Sequence, residues 1–82
     1  MQQGVVIGIN SRRGLIAVQV DGGDITVAEM LGGYDVDQGD VIRGNLETHA
    51  GETFYNATKG ESMHVFVEGV GCSRQSAIGL MR

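Results

Sequence analysis

Apolar and polar residues alternate along most of this chain in short segments, and glycine, asparagine, aspartate or serine marks the segment ends. A period of two residues is the pattern of a strand with one face on a core. It predicts six strands: Gly4–Asn10, Gly14–Val20, Asp24–Ala28, Val41–Glu47, Thr53–Thr58 and Met63–Val70. In the second, Ile16, Val18 and Val20 alternate with Leu15, Ala17 and Gln19, giving one fully apolar face. In the third, Ile25 and Val27 point one way while Asp24, Thr26 and Ala28 point the other. In the fourth, Ile42, Gly44 and Leu46 share a face, with Gly44 small where a barrel strand bends.

The sixth strand departs from this rule. Met63, Val65 and Val67 lie on one face, but Phe66 and Val70 make the other face apolar too. An outer strand of a small monomer alternates apolar with polar residues. This one needs cover on both sides, from a barrel on one and from either the C-terminal tail (Ile78, Leu80, Met81) or a second subunit on the other. The pattern leaves both open.

Two stretches lack the strand period. Glu29–Tyr34 has room for one helical turn ended by Gly32 and Gly33, with Met30 and Leu31 as a plug for the barrel bottom. Gly71–Arg82 begins as a turn and continues into a weakly helical Ser-Arg-Gln-Ser-Ala-Ile run, with Ser73 as N-cap. It is expected to be loosely ordered unless something docks on it. The domain division is a barrel over residues 1–70 and a tail over 71–82.

Eighty-two residues supply one hydrophobic core. Fourteen glycines, no proline and many Val, Ile and Thr residues favour turn-rich β structure over helices. The single Cys72 has no internal disulfide partner. The longest apolar run, Val5–Ile9, is too short for a membrane helix, and no leader precedes it. A cytoplasmic location is the expectation. Asn56-Ala57-Thr58 then matches a glycosylation sequon only by coincidence.

The net charge of −4 conceals a division. Asp21 to Glu68 holds all ten acids against Arg43 and Lys59, a net of −8, while Arg12, Arg13, Arg74 and Arg82 lie outside it. An acidic chain repels phosphate at long range. Nucleic-acid contact would need a local basic patch.

Three segments carry a family resemblance. Gly4-Val5-Val6-Ile7-Gly8-Ile9-Asn10, Arg12-Arg13-Gly14-Leu15-Ile16-Ala17-Val18 and Asp24-Ile25-Thr26-Val27-Ala28-Glu29 resemble, in order and spacing, the first three strands of the cold-shock domain. Gly39-Asp40-Val41-Ile42 is a weaker echo of its fourth. The resemblance covers about residues 4–58 and implies an all-β fold, a small OB-like five-stranded barrel with an additional C-terminal strand. A different small barrel, such as an SH3-like one, is the alternative. At the positions of the family's stacking aromatics stand Gly8, Leu15, Ala17, Thr26, Ala28 and Glu29. Stacking contributes roughly 1–3 kcal/mol per base, so most of the family's affinity is gone with the rings.

Catalytic and metal chemistry find little support. Asp35-Val36-Asp37-Gln38-Gly39-Asp40 places its glycine fifth and Leu46 twelfth, which breaks the calcium-loop pattern. His49 and His64 with one cysteine make no zinc set. Gly69-Val70-Gly71-Cys72-Ser73 has too little chain after it for a dinucleotide-binding unit. Cys72 reads as a free thiol. No enzyme, metal or cofactor is expected. The leading expectation is a protein-interaction or self-association module using Leu15, Ala17, Thr26, Phe66 and Val70, its partner unidentified or a second copy. The alternative is weak single-stranded RNA or DNA binding through Arg12, Arg13, Leu15, Arg43, Lys59 and His64, against the plainer view of Arg12 and Arg13 as solvated turn residues. No membrane partner is expected.

Overall fold

Two three-strand meanders make the molecule. A computed structural model describes residues 2–82. The first meander is β1 (Gln2–Asn10), β2 (Leu15–Val20) and β3 (Ile25–Met30). The second is β4 (Val41–Gly44), β5 (Gly51–Asn56) and β6 (Glu61–Cys72), followed by the helix α1 (Arg74–Leu80). The meanders join along β1–β4 and β3–β6, every pair antiparallel, and the sheet closes in the order β1-β2-β3-β6-β5-β4. This is the expected class, a small all-β OB-like barrel with an additional C-terminal strand. That strand is the stave that completes the barrel, between β3 and β5.

The alternation read from the sequence decides what fills the barrel. Ile16, Val18, Ile42, Phe54, Met63 and Val65 are fully buried in one cluster. Leu46, beyond the end of β4, joins them. Gly4 lies where β1 is crowded from both sides, paired with Val20 and Ile42. A Cβ there would come within 2.6 Å of the Gln19 carbonyl oxygen and of Val18. Gly44 bends the end of β4 with a φ of 149°, which side-chain-bearing residues rarely adopt.

The third strand presents the opposite face from the one expected of its polar positions. Residues opposite each other in an antiparallel pair point to the same side. Leu15 pairs with Glu29 and Ala17 with Val27, whereas Thr26 and Ala28 pair with Val18 and Ile16. Thr26 and Ala28 therefore lie inside the barrel, fully buried, and the Thr26 hydroxyl donates to the Leu46 carbonyl. Ile25 and Val27 face outward with Ala17, and all three are buried because α1 covers them through Ala77. Strands β2 and β3 are thus apolar on both faces, the barrel taking one and the helix the other.

A bulge explains the two-sided look of the last strand. Ala28 pairs with Val67 but Val27 with Gly69, so Glu68 is an extra residue in β6. The insertion changes the facing, and Val70 turns back to pack on the barrel core. Phe66 alone keeps an apolar side chain outward, 46% exposed.

One local expectation changes and the other is met. Residues 31–36 form no helical turn; Met30, Tyr34 and Val36 pack on the core, while Leu31 is exposed. The C-terminal stretch is a helix capped by Ser73, whose hydroxyl accepts from the Ser76 backbone N–H. Its docking surface is the barrel itself. Among the described residues no helix is long and apolar enough to cross a membrane.

Candidate functional site

The β1–β2 turn is built to hold its arginines out. Asn10 Oδ1 accepts from the backbone N–H groups of Arg12 and Arg13, and Gly14 completes the turn at a φ of 68°. Asn10 also donates through Nδ2 to the Met81 carbonyl at 2.6 Å. The Arg13 guanidinium donates to the carbonyls of Leu80 and Arg82. The turn and the end of α1 are therefore stitched together, and Arg82 comes to lie near Arg12.

Between this turn, β1 and α1 runs a groove of about 560 Å³. Its floor is Ala17 and Gly8. Ile7 and Ile9 of β1 and Ala77, Ile78 and Met81 of the C-terminal segment complete its apolar lining. A Cβ built on Gly8 would sit 3.8 Å from Ala17 and 3.9 Å from Met81, in ordinary contact, so the glycine leaves a hollow rather than relieving a clash. Ile78 is 52% exposed on the rim. Arg12, Arg74 and Arg82 line the same groove, and no Asp or Glu does. Among the described residues the ion pairs to Asp or Glu are all made by Lys59, so these arginines have no acidic side chain as a partner.

The residues named for nucleic-acid binding are dispersed. Arg12 lines the groove, while Arg13 is committed to the end of α1. Leu15 is 4% exposed, on the outer face of β2 near Leu80. Arg43 stands on β4 opposite Tyr55 and donates to Gln3 Oε1 at 3.0 Å. His64 is exposed on β6, its Nδ1 3.4 Å from Thr53 Oγ1 and its backbone N–H donating to the Tyr34 hydroxyl.

Lys59 is occupied. Its ammonium lies 2.7 Å from Asp37, 3.3 Å from Asp40 and 3.7 Å from Asp35. The hydrogen bond to Asp37 is the main cause that raises its pKa above the ordinary lysine value. Asp40 is nearly buried; the Asn56 amide first, then the Asp37 backbone N–H and Lys59, hold its carboxyl below the usual range against the cost of burial. The acidic turn thus carries a lysine ammonium where a calcium loop would carry its ion. The sequon asparagine, Asn56, is fully buried and spends its amide on Asp40.

The interaction set is also divided. Ala17 lies beneath α1, Thr26 inside the barrel and Val70 against the core; Phe66 is open on β6. Cys72 is a half-buried free thiol packed beside the α1 cluster. Nothing in the linear order places Arg74, Ile78 and Arg82 against β1, which is why the groove has no local mark in the sequence. The signal that could have found the groove was the charge division, since three of the four arginines outside the acidic span line it.

Comparison with protein-family models, curated proteins and solved structures gives no match to this chain.

Proposed function

We propose that this chain is a non-catalytic protein-interaction module that docks a partner in the groove between α1 and β1. One observation carries the reading: a concave aliphatic surface edged by arginines that have no Asp or Glu partner. Buried apolar anchors with a polar, charged rim are the anatomy of a protein interface. The likeness to the cold-shock domain belongs to the same reading. It rests on the β1–β3 meander and its turns, and a lone reduced Cys72 fits a cytoplasmic setting. In OB-folds the face of strands 2 and 3 binds oligonucleotides. Here α1 lies over the face of β2 and β3, and the adjoining groove is what remains open.

The test is selection of a random linear-peptide library on the folded chain, with the Ile9→Asp/Ile78→Asp variant as the counter-target. We expect enriched peptides that bind the parent at least tenfold more tightly than the variant. Enrichment of nothing, or only of peptides that bind both equally, would overturn the reading.

A second reading has one observation in its favour. Tyr55, His64 and Phe66 project outward on β5 and β6, with Arg43 beside Tyr55. Aromatic rings beside a cation can stack single-stranded bases. Fluorescence anisotropy with single-stranded RNA and DNA at low salt tests it. Micromolar binding that is lost in Tyr55→Ala/Phe66→Ala would favour this reading over the groove.

A further inference from the structure

The groove's chemistry specifies more than a partner surface. Its three arginines, Arg12, Arg74 and Arg82, surround a floor of Gly8 and Ala17, and the walls are aliphatic. We infer that the groove, if it is the docking site proposed above, takes an acidic extended peptide with one aliphatic side chain between two carboxylates. The aliphatic side chain fills the hollow over Gly8, and the carboxylates pair with the arginines at the two ends.

The spacing follows from the helix. Arg74 opens α1 and Arg82 lies two residues past its end. Eight residues at a helical rise place them about 12 Å apart. Arg12 stands at the Arg82 end, because Asn10 and Arg13 tie the turn to residues 80–82. An extended peptide covers about 12–13 Å in four residues. The two acids are then four positions apart with the aliphatic residue midway, and side chains at those three positions point to one side of the extended peptide. Arginine suits this task because its planar fork binds a carboxylate through two hydrogen bonds.

Charge and shape favour a peptide over a nucleic acid. Arginines would also accept phosphates, but no aromatic ring lines the groove for a base to stack on. Aliphatic walls offer a sugar-phosphate chain nothing to bury, and the −8 span from Asp21 to Glu68 opposes a long polyanion. A short acidic segment meets the basic end without crossing the acidic remainder. The backbone adds a second reason. On its β4 side β1 pairs with β4 as far as Val5. Val6 then bonds to Gly39 and Asp40, and the Ile7 carbonyl accepts from the Gln38 amide. The edge is uncovered only over residues 8–10, where pairing with β2 continues. Backbone groups at an open edge are where extended peptides add to sheets.

The probe is a synthetic peptide, Asp-Gly-Leu-Gly-Asp with glycine flanks and blocked ends, titrated into isotope-labelled protein and followed by amide chemical shifts. We expect sub-millimolar saturable binding, with shifts confined to residues 7–12, 17 and 74–82. Replacing leucine by glycine, or both aspartates by asparagine, is expected to weaken binding at least tenfold. Two protein variants complete the test. Gly8→Ile plugs the hollow without changing charge and should abolish binding while the spectrum stays folded. Arg12→Glu/Arg74→Glu should lose the acidic peptide and gain its Lys-Gly-Leu-Gly-Lys counterpart. No shift at millimolar peptide, equal binding of the asparagine peptide, or tighter binding of an oligothymidylate to the same residues would overturn the inference. If library peptides selected on the groove are neutral or basic and are lost in Gly8→Ile, the docking site stands and the acidic specification falls. If no peptide depends on Gly8, both fall.

Discussion

Single residues carry the tightest constraints on this barrel. Gly4 is the clearest: any side chain must displace the backbone of β2, because the nearest atom is a carbonyl oxygen. Overpacking of this kind costs about 1–3 kcal/mol, so Gly4→Ala is expected to lower the unfolding free energy measured in urea by that amount while Gly8→Ala leaves it nearly unchanged. The Asp40–Asn56–Lys59 cluster sets the response to pH. The folded pKa of Asp40 lies below its unfolded value near 3.8, so its contribution is complete above that value and is lost as pH falls through the folded one. Lys59 runs the other way: its folded pKa is raised, so its contribution is present below 10.5 and lost as pH climbs beyond it. Asp40→Asn leaves the buried Asn56 amide facing another amide and should cost about 1–3 kcal/mol at neutral pH. Thermal melts from pH 7 to pH 2 check the acid response of Asp40 and the cost of Asp40→Asn. The parent should lose stability more steeply below pH 4 than the variant, and parallel curves would show that Asp40 is not the source.

At the scale of elements, α1 decides which surface of the barrel meets water. Seven residues make a marginal helix in isolation, so its order comes from Ala77 resting on Ile25, Val27 and Ala17. Truncation after Cys72 returns those side chains to water and is expected to cost about 3 kcal/mol, the order of two aliphatic residues exposed. Urea unfolding and binding of a hydrophobic dye to the truncated barrel check it. Ser73→Ala, which removes only the cap, should cost about 1 kcal/mol. The helix also marks the limit of what the chain discloses. The Val18 and Ile42 alternations, the glycine turns and the Ser73 cap are local signals, and strands and barrel class were legible from them. The facing of β3 was not, because Thr26 is polar and its burial depends on the distant Leu46 carbonyl. Val70 was misplaced because a bulge at Glu68 leaves no mark in the hydrophobic period. The groove was illegible as geometry and half-legible as charge: Arg12, Arg74 and Arg82 stood apart from the acids, but only a closed barrel with α1 across it brings them together.

For the whole molecule, the order of the strands around the barrel matters more than their number. β6 is hydrogen-bonded to β3 on one side and β5 on the other, and β1 closes on β4 across some forty residues of chain. Nonlocal pairing of this kind slows folding, and small β barrels typically fold in milliseconds to seconds, about a thousandfold slower than helical bundles. Stopped-flow refolding should fall in that range, and a microsecond phase carrying the full amplitude would contradict it. A second consequence concerns synthesis. While Glu61–Cys72 are still in the ribosome, β3 is a bare edge, a row of unsatisfied N–H and C=O groups that another nascent chain can pair with. β5 is a second one from its own release until β6 docks. The danger of edge-to-edge aggregation is therefore greatest before the last strand is in place, when both edges that β6 covers are still bare.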